Sequence, residues 1–165
     1  MSIPRNHFPV WKRLLLALSV LAIVLISMIG YDLYRMVHTK IPESYASWTV
    51  GNVMVEYLQT HTNQWPRSWE DLRSATNSLN QKSGSFVYTP LERLPEYIKI
   101  DWLVDPERLL QAARSNANVT IRVATRLDGS RPIAVWGTDT EPNAKIMRYL
   151  RTTLTTSNAE TGSKR

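Results

Sequence analysis

Residues 14–31 read LLLALSVLAIVLISMIGY, eighteen positions without a charge between Arg13 and Asp32. Eleven of the eighteen are Leu, Ile or Val. At about 1.5 Å of helical rise per residue the run covers about 27 Å, close to the hydrocarbon thickness of a bilayer. Typical insertion values sum to roughly −3 to −7 kcal/mol, with only Ser19 and Ser27 as polar breaks. A transmembrane anchor is therefore expected over 14–31. Trp11 on one side and Tyr31 and Tyr34 on the other stand where aromatic side chains settle at the two membrane interfaces. A cleaved secretory signal would share the basic start but would have a shorter apolar stretch and small residues before the cut. The segment Ile26-Ser27-Met28-Ile29-Gly30-Tyr31 contains no Ala-x-Ala-like pair, so the anchor is expected to be retained.

The flanks set the expected orientation. Arg5, Lys12 and Arg13 precede the run without an acid among them, whereas Asp32, Arg35, Lys40 and Glu43 follow it with balanced signs. This bias favours a cytoplasmic N-terminus over 1–13 and an extracytoplasmic C-terminal domain in the cell envelope. Net charge divides the same way: residues 1–40 carry five Lys or Arg and one acid, residues 41–165 fifteen and thirteen. Most of the basic excess thus belongs to the anchor, which points to anionic lipid headgroups and away from nucleic acid. The chain has no cysteine, which excludes a lipoprotein anchor, disulfides and thiolate zinc sites.

Beyond a juxtamembrane linker or helix continuation over 32–42, residues 43–154 suffice for one small domain. Pro42 removes a backbone donor and restrains Ile41, so a kink or restart is expected there. Ala46, Val50, Val53, Met54, Tyr57 and Leu58 recur at steps of three and four and predict an amphipathic helix over 44–61. Ser68-Trp69-Glu70-Asp71 offers an N-cap with an acid three residues on, opening a short helix through Leu72. Residues 74–85 are polar and aperiodic and read as a surface loop. Phe86-Val87-Tyr88 is a candidate strand. In 97–104, Ile98, Ile100, Trp102 and Val104 alternate with Tyr97, Lys99, Asp101 and Leu103, one face being the buried one. Asp105-Pro106 starts a helix through Leu109, Leu110 and Ala113. In 119–126, Val119, Ile121 and Val123 are expected inward and Thr120, Arg122 and Arg126 outward. Asp128-Gly129 supplies a turn, with Pro132–Gly137 returning as the partner strand. Asp139 or Thr140 caps a last helix bearing Ile146, Met147, Leu150 and Leu154, and a disordered tail is expected over 155–165. The connection between strands 97–104 and 119–126 is long enough for a parallel crossover. The expected fold is α+β: one N-terminal transmembrane helix, an amphipathic extension, and a small mixed or antiparallel sheet with flanking helices.

A charged start, one apolar helix, an amphipathic extension and then Trp65-Pro66-Arg67-Ser68-Trp69-Glu70-Asp71-Leu72 together resemble the layout of type IV pilin-like proteins and type II secretion pseudopilins. In that layout a Tyr near the end of the long helix precedes a Pro-containing segment and a short Leu-bearing helix. Tyr57, Pro66 and Leu72 stand in those places. The likeness covers about residues 12–72. The family's processing site is missing, because no Gly precedes the apolar run and no acid lies inside it. The resemblance implies a non-enzymatic, accessory envelope component.

Catalytic patterns are sparse. His7, His38 and His61 have no His-x-x-x-His spacing, and no Gly-x-Ser-x-Gly elbow or Walker loop occurs. The acid pairs Asp101/Asp105, Glu70/Asp71 and Asp139/Glu141 could serve a hydrolase, but Asp71, Asp105 and Asp139 stand where helix starts call for carboxylates. No enzyme activity, cofactor or metal is expected.

Binding patterns are richer. Arg122 and Arg126 share one side of a strand and Arg131 begins the next, a cationic strip that with Trp136 could contact an acidic polymer or DNA. Lys145, Arg148 and Arg151 form a basic stripe opposite the apolar side of the last helix, as on an ordinary amphipathic helix. Trp48, Trp65, Trp69 and Trp102 suit a small core, and Trp65, Pro66 and Trp69 are alternatively a docking patch for a partner protein. The expected partners are the lipid bilayer and an envelope protein, in a homo- or hetero-oligomer, with contact to an acidic polymer as the competing reading.

Overall fold

The computed structural model describes residues 9–61, 64–82, 87–115 and 122–162. The chain divides between Thr39 and Lys40 into two compact units.

The first unit is helix α1, Val10–Arg35, followed by a π-helical turn over Met36–Lys40. None of the residues of α1 is buried. Its most apolar window has a mean hydropathy of 2.6, and it is long and apolar enough to cross a membrane. The two polar breaks are satisfied within the helix: the Ser19 and Ser27 hydroxyls donate to the Leu15 and Ile23 carbonyls, each at 2.8 Å. Such back-bonding lets a serine sit in an apolar helix without an orphan hydroxyl. The π-turn precedes Pro42, whose missing N–H interrupts the regular ladder at the point where the sequence predicts a restart.

The second unit is built around helix α2, Ile41–Thr60. The predicted stripe of Ala46, Val50, Val53, Met54, Tyr57 and Leu58 is buried throughout. The helix is more enclosed than an amphipathic surface helix, because Glu43, Ser44, Ser47, Thr49 and Glu56 are buried as well. Helices α3 (Arg73–Gln81) and α5 (Pro142–Gly162) pack on it, as does strand β1 (Ile98–Ile100). Gly51 allows the approach of α5: a Cβ there would lie 3.2 Å from the Pro142 Cα. Leu58, Leu72, Leu94, Ile98 and Ile146 are all but fully enclosed, each contributing about 1.5–3 kcal/mol by leaving water.

Three expectations need correction. The stretch read as a loop over 74–85 is largely α3. Its apolar stripe is narrow, Leu72 and Ala75 buried and Leu79 half-buried, yet Glu56 of α2 secures it from across the interface. The Glu56 carboxylate accepts from Ser78 Oγ at 2.7 Å and from Lys82 Nζ at 2.6 Å. Second, Pro132–Gly137 is not a strand, although the Asp128-Gly129 turn forms with Gly129 at φ 78°. Pro132 has no N–H to give a ladder, and the Val135 N–H goes instead to Ser44 Oγ at 3.1 Å. Third, the helical backbone of α5 runs on to Gly162 where a disordered tail was expected. Neither Pro nor Gly interrupts it earlier.

The sheet is smaller than the sequence suggests, and the unit is helix-rich. Among the described residues strand β1 pairs only with β2 (Ala124–Arg126), antiparallel, with Ile98 opposite Arg126 and Ile100 opposite Ala124, so the crossover is not a parallel one. Helix α4, Pro106–Arg114, connects them and is capped by Asp105 Oδ1, which accepts the Glu107 N–H at 2.9 Å. Val87 and Tyr88 are not in a strand, while Phe86 and residues 119–121 lie outside the described residues. On the far side of β2 a side chain replaces a third strand. Asn143 Oδ1 accepts the Val123 and Ala124 N–H groups at 2.8 Å each, and its Nδ2 donates to the Ala124 carbonyl at 2.9 Å.

Candidate functional site

The alternation through 97–104 outlasts the strand itself. Ile98 and Ile100 are buried and Trp102 and Val104 half-buried, whereas Lys99, Asp101 and Leu103 are exposed. Leu103 is the extreme case at 94 % exposure. Its position is fixed by hydrogen bonds: Asp101 Oδ1 accepts the Leu103 N–H at 3.0 Å, closing an Asx turn, and Trp65 Nε1 donates to the Asp101 carbonyl at 3.0 Å. Asp105 then begins α4 two residues on. The turn is held from both sides, and the leucine is held outward.

Two clefts flank it. One, of about 570 Å³, has Trp65, Trp102, Arg67 and Asp71 in its walls. The other, of about 740 Å³, lies against α4 and is lined by Asp105, Arg108, Leu109 and Ala112 among others. Leu103 thus projects between a cleft floored mainly by apolar groups, against α4, and a more polar cleft beside the tryptophans, a combination that protein-contact surfaces share. The Asp101 and Asp105 carboxylates serve here as turn and cap acceptors.

Of the two tryptophans read from sequence as either core or docking patch, Trp65 is buried and Trp69 half-buried. Trp65 is 9 % exposed and Pro66 is enclosed, so both are structural at this corner. Trp69 is half-buried and meets Trp102 edge-on, ring centroids 5.3 Å apart at 83°. This geometry favours the aromatic pair and leaves little of the proposed Trp65–Pro66–Trp69 patch for a partner. Leu103, the residue that does protrude, was signalled only as a leucine sharing the polar face of its strand with Lys99 and Asp101.

The arginine strip is not a uniform cationic face. Arg122 and Arg131 are exposed. Arg126 pairs with the buried Glu43 through two nitrogens and with Asp128 at 3.2 Å. The hydrogen bond that Arg126 donates to Glu43, with the two negative charges, raises the Arg126 pKa against the opposing effect of burial. The basic stripe on α5 is likewise engaged: Lys145 reaches Asn52 Oδ1, and Arg148 pairs with Asp139. Burial, with the nearby Arg148 charge, draws the Lys145 ammonium below its usual 10.5 while Asp139 opposes.

Of the three histidines, His61 stacks on Tyr57 with centroids 4.0 Å apart, and His38 lies against Tyr34 at 4.3 Å. His7 lies outside the described residues. Among the described residues no three His, Asp or Glu side chains converge in a way that could hold a metal ion. Compared with protein-family models, with curated proteins and with solved structures, the chain matches none of them.

Proposed function

We propose that this chain is a single-pass, membrane-anchored envelope protein without catalytic activity, whose Lys40–Arg165 unit works by contact with another protein. The N-terminus lies in the cytoplasm and the C-terminal unit outside it. The observation that carries the reading is the exposure of α1 and the turn after it: their apolar side chains, from Val10 through Val37, are all exposed. In water such a surface would cost tens of kcal/mol at about 25 cal/mol per Å², whereas in hydrocarbon it costs nothing. The contact surface is the Leu103 projection with its two clefts. The pilin-like layout of residues 12–72 supports an accessory role in an envelope assembly, with a second copy or a different chain as the companion. The acidic-polymer reading is the weaker one, since Arg126 is committed to Glu43 and Asp128.

The test is protease treatment of intact cells or spheroplasts expressing the chain with a C-terminal tag, with lysed cells as control. Loss of the tag with retention of a membrane-bound N-terminal fragment is expected. Protection until lysis would place the unit in the cytoplasm and overturn the orientation. A chain released by alkaline carbonate would overturn the anchor.

A further inference from the structure

The end of the second unit at which α2 begins carries an aromatic cluster assembled from three distant segments. The Tyr45 ring lies 4.8 Å from that of Tyr88 and 6.2 Å from that of Trp136, and Trp48 lies 5.0 Å from Tyr88. Three ties draw the other segments to the first turns of α2. Arg126 pairs with Glu43, the Val135 N–H donates to Ser44 Oγ at 3.1 Å, and the Tyr88 N–H donates to Thr49 Oγ1 at 3.1 Å. These ties satisfy the polar groups and leave the rings and aliphatics outside. Trp136 is 52 % exposed, Tyr88 41 % and Val135 36 %. Leu127, on the turn that follows Arg126, is exposed as well.

We infer that this cluster docks into the headgroup layer of the bilayer that holds α1, an inference that rests on the membrane-anchor reading above. Chain length supplies the occupant. Tyr45 stands eight positions after Val37, the last exposed large apolar residue of the first unit, so the tether between them reaches at most about 29 Å even when fully extended. Helical side chains lean toward the N-terminus, so the Tyr45 and Trp48 rings project back along α2 toward its tethered end. Tyr and Trp are the residues that suit this layer, with a ring for its apolar side and an O–H or N–H for its wet side. Lys40 is exposed between the two stretches and can extend its ammonium to the phosphates. The partner is thus the lipid interface itself, and the unit is held by a second contact besides its tether.

Since the chain lacks cysteine, single nitroxide labels can be placed in the full-length protein reconstituted into phosphatidylcholine–phosphatidylglycerol vesicles. Labels at Val135→Cys, Leu21→Cys and Leu103→Cys are compared by power saturation against oxygen and a water-soluble nickel complex. The label at 135 is expected to be shielded from nickel and accessible to oxygen at headgroup depth, the label at 21 to lie deep in hydrocarbon, and the label at 103 to be aqueous. Adding W136S and Y88S should return the label at 135 to water. An aqueous label at 135 with a deep label at 21 overturns the docking and leaves the anchor standing. An aqueous label at 21 overturns the anchor reading. A label at 135 that stays at headgroup depth in the W136S/Y88S chain overturns the role of the aromatic rings, and dipolar broadening between labels at 135 assigns the face to a second copy instead.

Discussion

Glu43, in the first turn of α2, and Arg126, at the end of β2, meet as an ion pair across 83 residues of sequence. Glu43 is 4 % exposed, and Arg126 of β2 is its partner. The pair ties β2 to the start of the central helix, and its loss loosens that tie. Arg126→Ala leaves a buried carboxylate without its cation. A fully buried pair costs about 3–5 kcal/mol when broken, and the partial exposure of Arg126 reduces this to about 2–3 kcal/mol. The double variant Glu43→Leu/Arg126→Met should recover most of that loss in chemical denaturation of the detergent-solubilised protein. A single variant as stable as the parent would show that the pair is idle.

Glu56 gives the unit an acid limb. Burial pushes its carboxyl up, but the hydrogen bonds from Lys82 and Ser78, with the Lys82 charge, outweigh this and hold it below its usual 4.5. A group depressed in the folded state binds fewer protons there than in the unfolded chain. Its stabilisation is therefore complete above about 4.5 and is lost as pH falls through the lower folded value. Denaturation midpoints across that window should decline, and Glu56→Gln should flatten the decline attributable to this site. An unchanged slope would assign the acid sensitivity elsewhere.

Gly51→Ala sets two opposed effects against each other. Alanine improves helix propensity by about 0.8–1 kcal/mol, whereas overpacking costs about 1–3 kcal/mol. The new methyl would meet Lys145 Cδ, which can swing aside, and Pro142 Cα, which cannot, both at 3.2 Å. The backbone contact decides the sign, and a net loss of about 1 kcal/mol is expected by thermal unfolding. A stabilised variant would mean that α5 slides freely on α2.

Leu103→Ala should leave stability within about 0.5 kcal/mol, as for other exposed sites without structural partners. A photo-crosslinking side chain at the same position should nevertheless capture the partner protein in cells, and one at the exposed Lys99 much less. Equal capture at both positions would remove Leu103 as the focus of contact.

Trp65→Phe keeps the ring in the corner and removes the N–H that bonds the Asp101 carbonyl. A lost hydrogen bond of this kind costs about 1 kcal/mol. Backbone amide exchange across 101–104 should quicken, because the turn that holds Leu103 outward loses one of its supports. Unaltered exchange would assign the turn to Asp101 and Asp105 alone.

Where one side chain pattern determined the environment, the sequence was legible. The stripe from Ala46 to Leu58 repeats at helical spacing and is buried, and the Ile98–Val104 alternation survives past the last ladder residue. The Asp105-Pro106 helix start holds because capping is local. Helix α3 was missed because its burial depends on three small or isolated apolar residues and on Glu56, which no local window contains. Arg126 was expected on the outward face, but the pairing sets it opposite Ile98, on the face that Ile98, Ile100 and Ala124 bury, and no local pattern says what a charge on that face would meet. Glu43, 83 residues away, supplies the answer. Trp65 offered no periodic cue at all, and its inward position follows from a carbonyl 36 residues later.

The amide of Asn143 has a bearing on assembly that the sheet alone would not suggest. Because it takes up both hydrogen-bonding groups of Ala124, the outer margin of β2 has no backbone donor or acceptor at that residue for an incoming segment. A partner that joined by donating an extended peptide would have to displace Asn143 and lift the start of α5 with it. Growth by strand addition is thereby closed at this residue, and any recognition on this side is left to side-chain surfaces.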